Sequence, residues 1–215
     1  MSDSGEFDLY LKGEERFGRF SSYFYTHFAK RWLKQLHEFA LREVVREALA
    51  IKPKRIVDIG SGPGWLTCTL AKRLPEVEVY GIDPSPHMIR HARTTAEKMD
   101  LNNIRFELGS SRHLPDMVFN LAYSVLSFHH WAEQKAGLTQ IYEHLSGGRF
   151  MVFEYNRDRL PPYYFPARNH AMRIQTLEGL REQSPFPKLE IKTEGALLLA
   201  AYVKDAVEEN TKADG

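Results

Sequence analysis

The chain has 215 residues, enough for one α/β domain of generous size and too few for two domains with separate large cores. Hydrophobic residues make up 43% and charged residues 27%, which excludes a disordered or fibrous chain; 29 Lys+Arg against 28 Asp+Glu leave +1, so no global field points to nucleic acid or an anionic membrane. The single cysteine, Cys68, excludes an intrachain disulfide and a cysteine-based zinc site and fits a reducing compartment, so a cytoplasmic location is expected.

The first twenty residues are acidic where an export signal would be basic and then apolar, so none is expected. The longest clean apolar run, 196–203, is far below the roughly 20 residues that cross a bilayer as helix. Residues 21–50 are rich in helix formers and place Leu41, Val44, Val45 and Ala48 on one helical face. Pro53 ends that pattern. Short β-branched runs separated by helical stretches follow, the signature of parallel strands with crossover helices. The predicted strands are 55–60, 78–83, 104–109, 119–124 and 149–155. Ile89, Ala92, Ala96 and Met99 make one crossover stripe, and Leu138, Ile141, Tyr142 and Leu145 another. Gly147 and Gly148 are expected to supply the left-handed turn that stops the second of these helices. After a Pro-rich loop at 160–166 the pattern predicts a helix over 168–182, then two β-prone runs broken by Gly195 that form an antiparallel hairpin. The expected architecture is α/β: a doubly wound, mostly parallel seven-stranded sheet with an N-terminal helical extension and a C-terminal antiparallel hairpin. Residues 1–50 are the extension, read as a lid of the same domain, 51–204 the core, and 205–215 a flexible tail.

The richest segment is RIVDIGSGPGW, where a strand runs into Gly60, Gly62 and Gly64 and then into a helix marked by Leu66, Leu70 and Leu74. Glycines there permit positive φ and close approach of a ligand, and N–H groups at a helix start favour a carboxylate or phosphate. The second strand ends in GIDPS, so Asp83 stands at the neighbouring carboxyl edge, where a carboxylate accepts both hydroxyl protons of a ribose. Loop and acid together imply a ribose-bearing ligand. The glycines fall as G-x-G-x-G, with Trp65 where the dinucleotide fingerprint G-x-G-x-x-G needs a bare backbone, which argues against NAD or FAD.

On these residues the chain resembles the class I S-adenosylmethionine-dependent methyltransferases. VDIGSGPGW resembles the family's first motif and GIDPS its second; FNLAYSVLSFHHW at 119–131 resembles the stretch after the fourth strand, and IYEHLSGGRFMVFE at 141–154 the fifth-strand region. The resemblance covers roughly residues 55–155. It implies a Rossmann-like methyltransferase fold that binds S-adenosylmethionine, releases S-adenosylhomocysteine and needs no metal. It further implies that Asp58 with the backbone at Gly60, Ser61 and Gly62 holds the methionine end, that Asp83 binds the ribose, and that Pro84 and Met88 border the adenine. Ser124 and Leu126 would line the cofactor near its sulfonium, and His129, His130 and Trp131 would face the acceptor. Two departures stand out. Ser110 follows Gly109 where the family often has an acid, so Ser110 or Ser111 is expected to take the adenine contact, and Asn120 stands where Phe-Asp is common.

Methyl transfer is an in-line displacement whose main demand is alignment in a dry pocket; a base is needed only where the acceptor must lose a proton. His129 and His130 are the candidate bases, also readable as a helix cap or pocket wall, and Glu154 is a second choice, also readable as a helix cap or salt-bridge partner. Tyr23 and Tyr25 could close over the cofactor or lie in the core. His87 and His91 share a helix face without an acidic or cysteine partner, and Cys68 reads as a small buried residue. The Pro-Pro-Tyr of LPPYYFP follows strand five rather than strand four, so it reads as a loop or acceptor lid. The basic residues Arg16, Arg19, Lys30, Arg31 and Lys34 could meet phosphates, but interleaved aromatics favour a mixed helical surface. The expected function is methyl transfer to a small-molecule acceptor, with an RNA or protein methyltransferase, a non-catalytic nucleoside-binding module and an NAD-linked oxidoreductase as the alternatives.

Overall fold

The computed structural model describes residues 30–161, 168 and 171–205. Tyr23, Tyr25, Arg16, Arg19, residues 162–166 of the Pro-rich run and the tail from 206 lie outside these.

Helix α1 (Lys30–Ile51) precedes strand β1 (Arg55–Ile59), and the chain then alternates: α2 (Trp65–Arg73), β2 (Glu78–Asp83), α3 (Pro86–Lys98), β3 (Ile104–Leu108), β4 (Phe119–Val125), α4 (Gln134–His144) and β5 (Leu145–Asn156). The short β6 (Ala171–Met172), α5 (Ile174–Glu182), β7 (Lys188–Glu194) and β8 (Leu197–Lys204) complete it. The sheet runs β3-β2-β1-β4-β5-β8-β7. Strands β3 to β5 pair in parallel, while β8 pairs antiparallel with both β5 and β7. The seven expected strands form this path, and β6 adds an eighth by pairing with the end of β5 at Tyr155 and Asn156.

Alternation along each strand splits the core between the faces. Ile56 and Tyr123 join Leu36, Phe39 and Val44 of α1 and Leu70 of α2; Val57 and Ile59 join Leu138 and Ile141 of α4 and Leu177 of α5. Helix α3 lays Ile89, Ala92 and Ala96 beside Cys68 and Phe106. Each such buried aliphatic side chain contributes about 1.5–3 kcal/mol, so α1 is a layer of the core as well as part of the extension.

Two local expectations differ. Helix α4 stops at His144 without a glycine: Leu145 is already extended, and Lys204 Nζ donates to the carbonyls of Tyr142 and Leu145 at 2.8 and 2.6 Å. Gly147 (φ +130) and Gly148 (φ +87) lie inside β5, opposite a register shift between Phe119 and Leu121 of β4. A Cβ on Gly148 would stand 2.4 Å from the Asn120 carbonyl oxygen, so the glycines make room for that irregularity rather than end the helix. The helix expected over 168–182 occupies Ile174–Glu182, because Ala171 and Met172 pair with β5 instead.

Candidate active site

The C-terminal ends of β1, β2, β4 and β5 lie side by side, where a doubly wound sheet binds its ligands. Gly60, Gly62 and Gly64 all have positive φ, at +80°, +54° and +78°. The Gly60 and Ser61 N–H groups donate to the Ile82 carbonyl, fastening the loop to β2. The three glycines do different work. A Cβ on Gly60 would lie 1.9 Å from Ser127 Oγ, and one on Gly64 within 2.8 Å of both Phe106 and Ala92, so these two permit close packing. Among the described residues, no atom beyond its chain neighbours lies within 4 Å of where a Cβ on Gly62 would stand, so that position is open to a ligand. Trp65, first in α2, is 70% exposed; Gly64 makes the close helix–strand approach in its stead.

Asp83 is buried and clasped by backbone: Oδ2 accepts from Gly62 N–H at 2.9 Å and Oδ1 from Ser85 N–H at 2.8 Å. Burial pushes its carboxyl up to about 6, although these two bonds pull the other way. Asp58, on β1, is buried and accepts from Thr67 Oγ1 at 2.6 Å. Burial raises it to about 7, with a smaller push from Asp83 and opposing pulls from Thr67 and Tyr123. Tyr123, its register partner on β4, faces the same carboxyl without completing a hydrogen bond to it. The structure thus brings two carboxyls and the open Gly62 together at one sheet edge.

Beyond β4 the chain turns sharply. Leu126 takes φ +51°, its N–H donating to the Phe153 carbonyl at 3.0 Å, and Phe128–His130 form one 3-10 turn. A leucine in the left-handed region costs about 1–2 kcal/mol, so the bend is held by its surroundings. Phe128 and Trp131 supply the hold: their rings sit 4.7 Å apart, Trp131 stacks on Phe150, and Trp131 Nε1 donates to Ser127 Oγ at 3.2 Å. Trp131 is therefore largely core, 7% exposed. The turn delivers His129 to Glu154. Its Nδ1 lies 3.0 and 2.9 Å from the two carboxyl oxygens, and its backbone N–H donates to Oε1 at 3.3 Å. Glu154 is fully buried, and desolvation raises its carboxyl against the lowering influence of His129. The His130 ring lies 3.9 Å from that of His129.

Ser124, next to last in β4, has a buried hydroxyl with no hydrogen-bond partner among the described residues, as do Ser61 and Ser111. Ser110 is committed to a tight turn: its Oγ meets His113 Nδ1 at 3.1 Å and accepts from Arg112 N–H at 3.3 Å. Ser111 packs against Gly137 of α4. Ser85 caps α3 through Met88 N–H, leaving Pro84 and Met88 half-buried behind Asp83. Asn120 stands at the opposite end of β4, where Oδ1 accepts from the Lys54 and Arg55 N–H groups, so that departure is structural. His87 and His91 hold their rings 4.6 Å apart in a shallow surface depression with Arg90 and Thr94. Among the described residues no three His, Cys, Asp or Glu side chains gather as metal ligands.

A family model described as a methyltransferase domain matches residues 56–148. Over that stretch, less than half of the chain, it is similar to the class I S-adenosylmethionine-dependent methyltransferases. It is similar to the demethylmenaquinone methyltransferase of Deinococcus radiodurans, 35% identical over 117 residues, which are 53% of this chain and 48% of the relative. It also resembles that organism's trans-aconitate 2-methyltransferase, 34% identical over 126 residues, 56% of this chain and 47% of the relative. The chain spans about half the length of these curated relatives. Among solved structures, the plantazolicin methyltransferase BpumL in complex with SAH shares the fold at a TM-score of 0.65 and 18% identity, covering 86% of this chain and 88% of that one.

The sequence alone did not point to Thr67, Tyr123 or the pairing of Glu154 with His129. Tyr123 was findable, since β1 and β4 are neighbours and its register sets it beside Asp58. The pairing depends on a turn whose 3-10 geometry leaves no sequence signature.

Proposed function

We infer that this chain binds S-adenosylmethionine and transfers its methyl group to a small-molecule acceptor. The observation that carries the reading is the buried Asp83, pinned by the Gly62 and Ser85 N–H groups beside an open Gly62. The residues present fit the cofactor: a cradle with room, two carboxyls held above their usual range, and the hydroxyls of Ser61 and Ser124, which have no partner among the described residues. When bound, the cofactor supplies an electrophilic methyl carbon on a positively charged sulfur. In this reading Asp58, Gly60, Ser61 and Gly62 hold its amino-acid end, and Asp83 accepts from the ribose hydroxyls. Gly64 closes the turn, Pro84 and Met88 border the adenine with Ser110 and Ser111 beyond, and Ser124 and Leu126 flank the reacting centre. His129 and His130 face the acceptor. Excluding water there strengthens each polar contact and protects the alignment.

Support for a small acceptor comes from the names of the demethylmenaquinone and trans-aconitate methyltransferases that the core resembles. Calorimetric titration with S-adenosylhomocysteine tests the cofactor reading. Saturable heat with a rise in melting temperature is expected, and absence of both overturns it.

A further inference from the structure

The described sheet ends at β3 on one side and β7 on the other, and the two edges are finished differently. On β3 the Arg93 guanidinium donates twice to the Phe106 carbonyl, at 3.1 and 2.7 Å, and so occupies part of that strand's backbone. Strand β7 pairs along its whole length with β8, from Lys188 opposite Val203 to Glu194 opposite Leu197. Among the described residues no loop or side chain bonds its backbone from the other side. A full-length strand with an open edge is a template for another strand, and chains that must stay apart shorten, bulge or cover such edges.

The side chains of β7 carry the second signal. Lys188, Glu190, Lys192 and Glu194 alternate on one face, and Leu189, Ile191 and Thr193 on the other. Laid antiparallel beside a second copy with Ile191 opposite Ile191, the strand sets Lys188 opposite Glu194 and Glu190 opposite Lys192 on both sides of a twofold axis, and every residue from Lys188 to Glu194 is paired. Sliding the copy by two residues brings Glu190 or Lys192 against itself, and sliding it by one sets charged residues against apolar ones. Parallel pairing in register would stack like on like. Leu189 and Ile191 are only half-buried on the core cluster they join, which leaves apolar surface for a neighbouring strand to cover. Each charge also has a partner in its own chain: Glu190 meets Arg149 and Lys188, Lys192 meets Glu43 at 2.7 Å, and Glu194 meets Arg42. Exposed ion pairs add little energy, so between copies they select direction and register, while backbone bonds and the covered Leu189 and Ile191 supply the attraction.

We propose that β7 is a self-association edge, through which two copies of this chain join antiparallel about Ile191 into one continuous sheet. The occupant is a second copy because the charge pattern of β7 is complementary to itself. Strands β4, β5 and β8 separate β7 from β1 and its glycine loop, so the proposal stands independently of the methyltransferase reading.

A contact between two strand edges is small beside the roughly 1,600 Å² of a standard interface, so a dissociation constant on the order of 10 µM is expected. Sedimentation velocity on the full chain tests this: the sedimentation coefficient should rise from monomer to dimer as the concentration is taken through that value. Lys188→Glu and Glu194→Lys each set like charges opposite one another twice per dimer, and each alone should weaken association by about tenfold or more. Mixing the two variants puts opposite charges face to face again and should restore the dimer, as should both exchanges made in one chain. The two side chains are 62% and 54% exposed, so both variants should melt as the unaltered chain does. A chain still monomeric at about 100 µM, a dimer indifferent to both substitutions, or a mixture that associates no better than the separate variants overturns the proposal.

Discussion

Asp83 and Asp58 show how one environment serves both folding and binding. Each is buried, and each has its carboxyl raised by desolvation, to about 6 and about 7. An unfolded aspartate titrates near 3.9, so between about pH 4 and 7 the folded state binds more protons. The stability these two groups contribute is therefore complete below about pH 4 and declines as pH rises through 6 and 7. Ribose hydroxyls and an ammonium group prefer the ionised carboxylates, so S-adenosylhomocysteine affinity should run the other way and increase between pH 5.5 and 7.5. Calorimetry near pH 6.5 in buffers of different ionisation enthalpy should report proton release on binding; proton uptake would contradict the assignment. Asp83→Ala should weaken S-adenosylhomocysteine by about 1–3 kcal/mol, the scale of lost charge-assisted hydrogen bonds, read as the dissociation constant. His129→Ala, by contrast, should lower turnover more than cofactor affinity, since its side chain is held against Glu154 of β5.

The strand–loop–helix formed by β1, the three glycines and α2 was the most legible element, because each of its signals is local. A β-branched run, positive-φ residues and a leucine stripe need no knowledge of distant chain. The division of labour among the glycines was not legible, since it depends on Ser127, Phe106 and Ala92, which reach the loop only through the fold. It makes a sharp comparison. Gly60→Ala must force Ser127 aside in addition to holding φ +80°, so the melting temperature should fall and S-adenosylhomocysteine binding be lost. Gly62→Ala meets open space and carries only the backbone strain of φ +54°, about 1–2 kcal/mol. Its melting temperature should fall less, while the added methyl intrudes on the cofactor's side and weakens binding. Indistinguishable effects in differential scanning calorimetry would contradict the close packing of Gly60 against Ser127. Element ends were misread where pairing overrode local pattern: Gly147 and Gly148 belong to a bulged strand, and Ala171–Met172 to β6, because β4 and β5 offered hydrogen bonds that no local rule anticipates.

Across the whole molecule, the parallel direction of the first five strands and the antiparallel closing hairpin were readable from the βαβ alternation, because parallel neighbours need crossover helices. The aromatic cluster behind the site was not. Phe128, Trp131, Phe150, Tyr202 and Phe186 come from four separate stretches of chain and meet ring to ring, with Phe150 and Tyr202 stacked at 6.1 Å and Phe186 and Tyr202 at 5.6 Å. This cluster supports the turn carrying His129. Phe150→Ala should destabilise the protein by about 3–5 kcal/mol in urea unfolding and lower turnover beyond the loss of folded protein, because the turn would lose its floor. A second consequence lies in the strand order. β8 is made after β7 yet stands between β7 and β5, so β7 cannot reach its place while the nascent chain is still short of residue 204. On the ribosome the glycine-loop half can assemble first, with the flank of β5 waiting for the later strand, and any stall or nick that withholds β8 detaches two strands at once.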